Sequence, residues 1–239
     1  MKRLCRFPNL VRGFQPWSSV AHIDRKARLI PKRSPRSYRV GVPETRRIGV
    51  FGGTFDPPHN AHVVLAAAAV HQLDLDELVI TPAGVPWQKV GSRVISAADV
   101  RLRLAEAAFG GVARTVVSDI ETRRQGNSYT IDTLEELDAP DARLFLLLGG
   151  DAAAGLDTWE RYEDVAALAT IAVFPRRGYE GATPPPPFES VALDLPGLEV
   201  SSTNIRHRVA MGEPIIGLVP EPVRQLIESY ELYGAEPIE

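Results

Sequence analysis

Two histidines three residues apart, His59 and His62, follow the paired glycines Gly52 and Gly53 in the string GGTFDPPHNAH. Side chains at that spacing project from one face of a helix's first turn. Glycines after a strand let a phosphate approach the backbone, and the next helix start offers N–H groups and partial positive charge. Imidazoles placed there can donate hydrogen bonds to phosphate oxygens. The plainer alternative is a glycine-rich turn followed by two helix-capping histidines; both histidines are expected at a solvent-facing helix start. The whole string favours phosphate binding, with Gly52, Gly53, Thr54 and Phe55 as the loop and His59 and His62 as donors.

A second anion site is expected at VSSTNIR, Val200 to Arg206. Ser201, Ser202 or Thr203 can cap a helix whose first N–H groups and hydroxyls face an anion. One turn on, Arg206 brings a planar donor fork suited to phosphate. An ordinary cap with a solvated arginine is the competing reading. GNSYTIDTL puts Tyr129 and Thr130 at a helix start, with Ser128 as its cap; a good capping sequence with a core tyrosine is its plain reading. Trp87 and Lys89 lie on a Gly/Pro loop, as a surface lid and a plain exposed charge or as ligand groups. Trp159 is a core anchor or a flat surface for a ring.

These residues need a scaffold that gathers them. RRIGVFGG, ELVITPAG, RTVVSDI, RLFLLLGGD and ATIAVFPR read as strands, with a further strand near Val200. Helices are expected over Asn60–Gln72 (Val64, Leu65 and Ala68 inward), from a Ser96 cap to Phe109, over YTIDTLEEL, over Thr203–Met211 and over Glu221–Leu232. Alternation with short connections implies a doubly wound parallel α/β sheet, which binds ligands beyond the carboxyl ends of its strands. Gly52 to Thr54, Thr81, and Gly149 to Asp151 fall there. GATPPPPFES, Gly181 to Ser190, reads as a surface loop, because consecutive prolines cannot join a ladder.

Charge separates the first residues from the rest. Residues 1–47 hold 13 of the 27 Lys and Arg but only Asp24 and Glu44 of the 30 acidic residues, a net +11 against −14 for the remainder. Proline breaks and scant apolar periodicity mark residues 1–45 as a basic, disordered extension, ahead of a targeting peptide or a nucleic-acid tail. The working domain is then 46–239. No apolar run reaches the ~18 residues of a membrane span. With one cysteine, Cys5, no intramolecular disulfide or cysteine metal site forms, and a cytoplasmic setting is expected.

GGTFDPPHNAH resembles the signature of nucleotidyltransferases whose usual form ends H-x-G-H. TPAGVPWQK, GNSYTIDTL, GGDAAAGLDTW and VSSTNIR then resemble, in that order, the motifs of bacterial nicotinate mononucleotide adenylyltransferases. The likeness runs from about Arg47 to Tyr233 and implies a Rossmann-like fold. It also implies transfer of AMP from ATP to nicotinate mononucleotide, giving nicotinate adenine dinucleotide and pyrophosphate. ATP would then lie on Gly52–Phe55, His59, His62, Gly149, Asp151, Ser201–Thr203 and Arg206. The mononucleotide would meet Thr81, Trp87, Lys89, Ser128–Thr130 and Trp159, which would stack on the pyridine. His59, His62, Lys89 and Arg206 would act on the phosphates.

No histidine–carboxylate set has metal spacing, so the expected cation is Mg2+ carried with ATP. Partners are ATP and the mononucleotide, without nucleic acid or membrane; a homo-oligomer is left open. Ala61 departs from the signature's glycine, and a modest effect is expected of its methyl group. Transfer to nicotinamide mononucleotide or another phosphate acceptor, and a non-catalytic nucleotide-sensing module, are the competing functions; GNSYTIDTL and Trp159 favour nicotinate.

Overall fold

The apolar residues of the strands alternate between two destinations, and that alternation builds the fold. In the computed structural model, which describes residues 45–85, 95–124, 126–175, 178–179 and 181–234, β1 is Arg46–Gly53, β2 Glu77–Pro82, β3 Thr115–Val117, β4 Ala142–Gly149, β5 Ala169–Phe174 and β6 Ser190–Ala192. Ile48, Val50, Leu144 and Leu146 point to one core, and Phe51, Phe145 and Leu147 to the other. A sheet buried on both faces needs helices on both faces.

Those helices are α1 (Asn60–Gln72), α2 (Ala98–Phe109), α3 (Thr130–Leu137), α4 (Gly150–Ala153), α5 (Tyr162–Leu168), α6 (Ser202–Ala210) and α7 (Glu221–Ser229). Strand order is β3-β2-β1-β4-β5-β6, and every pair is parallel. The chain leaves β1 toward one edge through β2 and β3, then returns to β4 on β1's other side. Winding therefore reverses between β1 and β4, and a crevice opens at their carboxyl ends. The doubly wound α/β fold expected from the sequence is the fold observed.

Four local expectations are corrected. The sixth strand is Ser190–Ala192, paired to β5 from Ile171 to Val173, and not a segment near Val200. Its three residues are exposed and carry no strand pattern; Val200 instead packs half-buried against the core without joining the sheet. The expected 181–190 loop accordingly ends in strand. On α1 the inward residues are Leu65, Ala66 and Ala69, one position on from Val64 and Ala68, because Ala66 and Ala69 allow closer approach than β-branched Val64. Ser96 does not cap α2, whose N-cap is Ala97 without a side-chain bond. Its carbonyl instead accepts from Arg101 Nε at 2.9 Å. The short α4 and α5 carried no helical signal of their own.

Candidate active site

At the carboxyl end of β1 the two glycines do different things. A Cβ on Gly53 would lie 2.9 Å from Phe55 Cζ, so its missing side chain makes room for the Phe55 ring. Phe55 holds φ 49°, in the left-handed region, at a cost of about 1–3 kcal/mol for a residue with a Cβ. Its buried ring meets Phe51 and Phe109 edge-on, at 5.4 and 5.5 Å, and burial of such a ring returns about 1.5–3 kcal/mol. The two terms roughly cancel, so the loop keeps its shape only while the ring is buried. Gly52 faces the crevice, where an added Cβ would meet only Thr81, 3.4 Å from its Oγ1. Gly53 thus also serves the loop's own packing, while lining the crevice beside Gly52.

His59 is the N-cap of α1 and His62 its third residue. Their rings stack 3.6 Å apart at 14°. His62 Nδ1 accepts the His59 backbone N–H at 3.2 Å, so the proton of a neutral His62 ring sits on Nε2, as a donor. Both rings line the crevice. His59 is 4% exposed, so the solvent-facing placement expected for it is corrected. The Phe51 and Phe55 rings pack against His62 edge-on, at 5.9 and 5.3 Å, while His62 stays half-exposed.

Across the crevice α6 starts at the same loop. Of the three candidate caps, Ser201 is the one: its Oγ accepts Asn204 N–H at 3.1 Å. Ser202 Oγ donates to the Pro57 carbonyl at 2.8 Å, and Arg206 donates to the Asp56 carbonyl at 2.8 Å and to Thr203 Oγ1 at 3.2 Å. Asp56 is 1% exposed, and the Tyr233 hydroxyl donates to its Oδ1 at 2.7 Å. Burial first, and the Asp56 carboxylate second, raise the Tyr233 phenol well above its usual range. The C-terminal segment therefore fixes the loop that carries the histidines.

The other half of the crevice gathers β2 and α3. Thr81 is fully buried at the end of β2. The N-cap of α3 is Tyr129, which corrects the expectation that Ser128 caps it. Ser128 Oγ instead accepts the Gly84 N–H at 3.0 Å, tying the β2 loop to α3. Behind them Glu121 is buried, and Thr133 Oγ1 donates to its Oε1 at 3.3 Å. Burial raises the Glu121 carboxyl above the usual range; the hydroxyls of Thr81, Thr133 and Ser128 and the charge of Arg124 oppose it. Trp159 closes this half, packed on the core behind it.

One cavity of about 540 Å3 spans both halves. The expected residues Gly52–Phe55, His59, His62, Thr81, Ser128–Thr130, Gly149, Asp151, Trp159, Ser201–Thr203 and Arg206 all line it. Trp87 and Lys89 lie outside the described residues. Ala61 is half-buried in the first turn of α1 and is not among the lining residues. Among the described residues no group of three or more His, Cys, Asp or Glu is arranged to hold a metal ion.

Sequence reasoning missed Asp56, Arg101, Glu121 and Tyr233. Arg101 had a readable signal: the α2 stripe Leu104, Ala105, Ala108, Phe109, extended back one turn, lands on it. An arginine on an apolar face needs buried acceptors. The other three had none, because their partners lie far away in sequence. No helix of the described residues is long and apolar enough to cross a membrane.

The cytidylyltransferase-like family model matches residues 50–208. A relative in Exiguobacterium sibiricum named "probable nicotinate-nucleotide adenylyltransferase" is 45% identical, over 79% of this chain and 99% of its own. One of the same name in Albidiferax ferrireducens is 42% identical, over 79% and 98%. Among solved structures, the nicotinic acid mononucleotide adenylyltransferase of Plasmodium falciparum complexed with NaAD superposes with TM-score 0.63 at 16% identity, over 79% of this chain and 97% of that one. At that identity the superposition shows the shared fold. The family match, the identities of the relatives and their near-complete coverage together place this chain in the nicotinate-nucleotide adenylyltransferase family of cytidylyltransferase-like nucleotidyltransferases.

Proposed function

We infer that this chain transfers AMP from ATP to nicotinate mononucleotide, forming nicotinate adenine dinucleotide and pyrophosphate. The observation that carries the reading is the two-ended cavity: the stacked His59 and His62 with the start of α6 at one end, the start of α3 with Trp159 at the other. A mononucleotide phosphate oxygen attacks the α-phosphorus of ATP in line, one P–O bond forms, and the bond to the departing pyrophosphate breaks. No protein nucleophile is required. Catalysis then rests on holding the two substrates together and on donors aimed at the charge that builds on the phosphate oxygens.

We assign the triphosphate to Gly52, Thr54, His59, His62, the hydroxyls of Ser201–Thr203 and Arg206, with Gly149 and Asp151 toward the adenylate. Phe55 shapes that loop from behind. Its cation is read as Mg2+ that arrives on ATP and keeps most of its waters. The nicotinate carboxylate is assigned to the start of α3, at Tyr129 and Thr130, with Thr81 and Ser128 beside it; N–H groups at a helix start favour an anion. Trp159 offers a flat face for the pyridine. Trp87 and Lys89 are retained as mononucleotide ligands on the strength of the family resemblance. The lone Cys5 fits a reducing, cytoplasmic setting. The reading is tested by following pyrophosphate release from ATP with nicotinate mononucleotide, nicotinamide mononucleotide and other phosphate acceptors in turn. Release with the first alone, or far faster with it, supports the reading; release with none of them overturns it.

A further inference from the structure

Arg101 is 1% exposed, as deeply buried as Asp56, and it is not among the residues that line the cavity. Its guanidinium reaches three segments. Nε donates to the Ser96 carbonyl at 2.9 Å; one terminal nitrogen donates to Thr54 at 3.1 Å and Ala83 at 2.5 Å; the other donates to Gly84 at 2.9 Å. Thr54 belongs to the loop assigned to the triphosphate, and Ala83 and Gly84 to the loop after β2. Gly84 continues the connection, because its N–H donates to Ser128 Oγ at 3.0 Å. A Cβ on Gly84 would lie 2.3 Å from the Glu121 carbonyl oxygen, so the loop is pressed against that segment with no slack.

A continuous chain therefore runs from Thr54 through Arg101 and Gly84 to Ser128 at the start of α3. Its two ends carry the two halves of the site. The β1–β2 ladder, paired as far as Gly53 with Pro82, holds the two loops at their base, and the Ala83 N–H continues it with a bond to the Gly53 carbonyl at 2.9 Å. Beyond the ladder, a planar fork bonded to both loops fixes their angle and separation. Burying a guanidinium is costly, and carbonyls from three segments are what compensates it.

We propose that Arg101 is a positioning residue that sets the two substrate half-sites in register for in-line transfer. This rests on the functional reading above. Each substrate binds mainly to its own half-site, so loosening the register leaves separate binding largely intact. Attack needs the two reacting atoms aligned, and a displacement of about 1 Å costs on the order of a hundredfold in rate.

The test uses the full chain with Arg101→Lys, Arg101→Met, Ser128→Ala and the double variant R101K/S128A. Calorimetry gives the binding-competent fraction and separate Kd values for a non-hydrolysable ATP analogue and for nicotinate mononucleotide; turnover is then expressed per competent site. For R101M the expected result is a loss of about a hundredfold in kcat, with both Kd values within about threefold. R101K, with one nitrogen, is expected to recover only part. R101K/S128A should fall no further than R101K by more than about threefold, since both break one chain. A kcat per competent site near wild type in R101K or R101M, a loss carried wholly by Kd, or multiplicative losses in the double variant would overturn the proposal. If R101M does not fold, R101K and the double variant decide it. Absence of activity in the wild-type chain would instead count against the functional reading.

Discussion

The imidazoles of His59 and His62 lie face to face, with centroids 3.6 Å apart and planes 14° from parallel. That stack turns two residues of one helical turn into a single donor surface on the crevice. It also makes them unequal, because His59 is buried and half-exposed His62 holds the helix start through Nδ1. His62→Ala and His59→Ala should each lower kcat by about 10²–10³, the loss of one preorganised donor. Only His59→Ala should also open a cavity, with a stability cost of about 1–3 kcal/mol. Steady-state kinetics and urea unfolding of the two variants check this; turnover within a few-fold of wild type in both would remove the histidines from the mechanism.

Tyr233→Phe removes the hydroxyl that donates to Asp56 Oδ1. A buried carboxylate that loses a donor should cost about 1–3 kcal/mol. The phenol is raised above its usual range, so it stays protonated in the folded chain and its bond persists through mildly alkaline conditions. The stability gap between wild type and Tyr233→Phe should therefore stay constant from pH 6 to 9, on the scale of those ordinary values. A gap that closes across that interval would show the bond titrating.

Glu121 gives the opposite pH behaviour. Its folded carboxyl is raised by burial above the usual 4.5, so the folded chain binds that proton more tightly than the unfolded chain. Linkage then adds stability as pH falls through the folded value and withdraws it as pH rises above it. Glu121→Gln has no such proton. Measured by urea unfolding, wild type should gain on Glu121→Gln as pH falls from neutral towards the ordinary 4.5. A constant difference, or one moving the other way, would contradict the raised carboxyl.

What the sequence made legible and what it hid divide along a physical line. Parallel strands buried on both faces announce themselves as apolar runs, as in Leu144–Leu148, and glycine, proline and histidine mark the loops beyond them. The glycine–histidine loop, the α6 start and the α3 start were readable as crevice segments because each is local. Roles that depend on distant partners were not. Ser128 bonds Gly84, and Tyr233 meets Asp56 across most of the chain; Gly53 was hidden by a local backbone state, the left-handed Phe55 whose ring takes its side-chain space. β6 was hidden for another reason: three exposed residues at an edge carry no alternation to read.

Residues 1–45 are proposed to lie outside the working domain, on their charge, their prolines and their place outside the family resemblance. On that proposal, deleting them removes almost no buried apolar area. A chain beginning at Glu44 should melt within about 2 °C of the full chain, since a 1 kcal/mol loss would shift Tm by more than that. Its kcat for nicotinate mononucleotide should be unchanged. Any gain in encounter rate from the arm's +9 charge should fade at about 0.15 M salt. A large fall in Tm on truncation would move the boundary.

In the proposed reaction one end of the cavity reads a nicotinate carboxylate while the other transfers AMP to its mononucleotide. Donors at the start of α3 that lose their anion are left unpaired, and such sites reject the analogue strongly. The most direct measurement is dinucleotide formation from ATP with nicotinate and nicotinamide mononucleotides side by side, as kcat/KM. The expected result is nicotinate adenine dinucleotide as product, with a preference well over tenfold for the nicotinate form. Equal use of the two mononucleotides, or a preference for the amide, would contradict it.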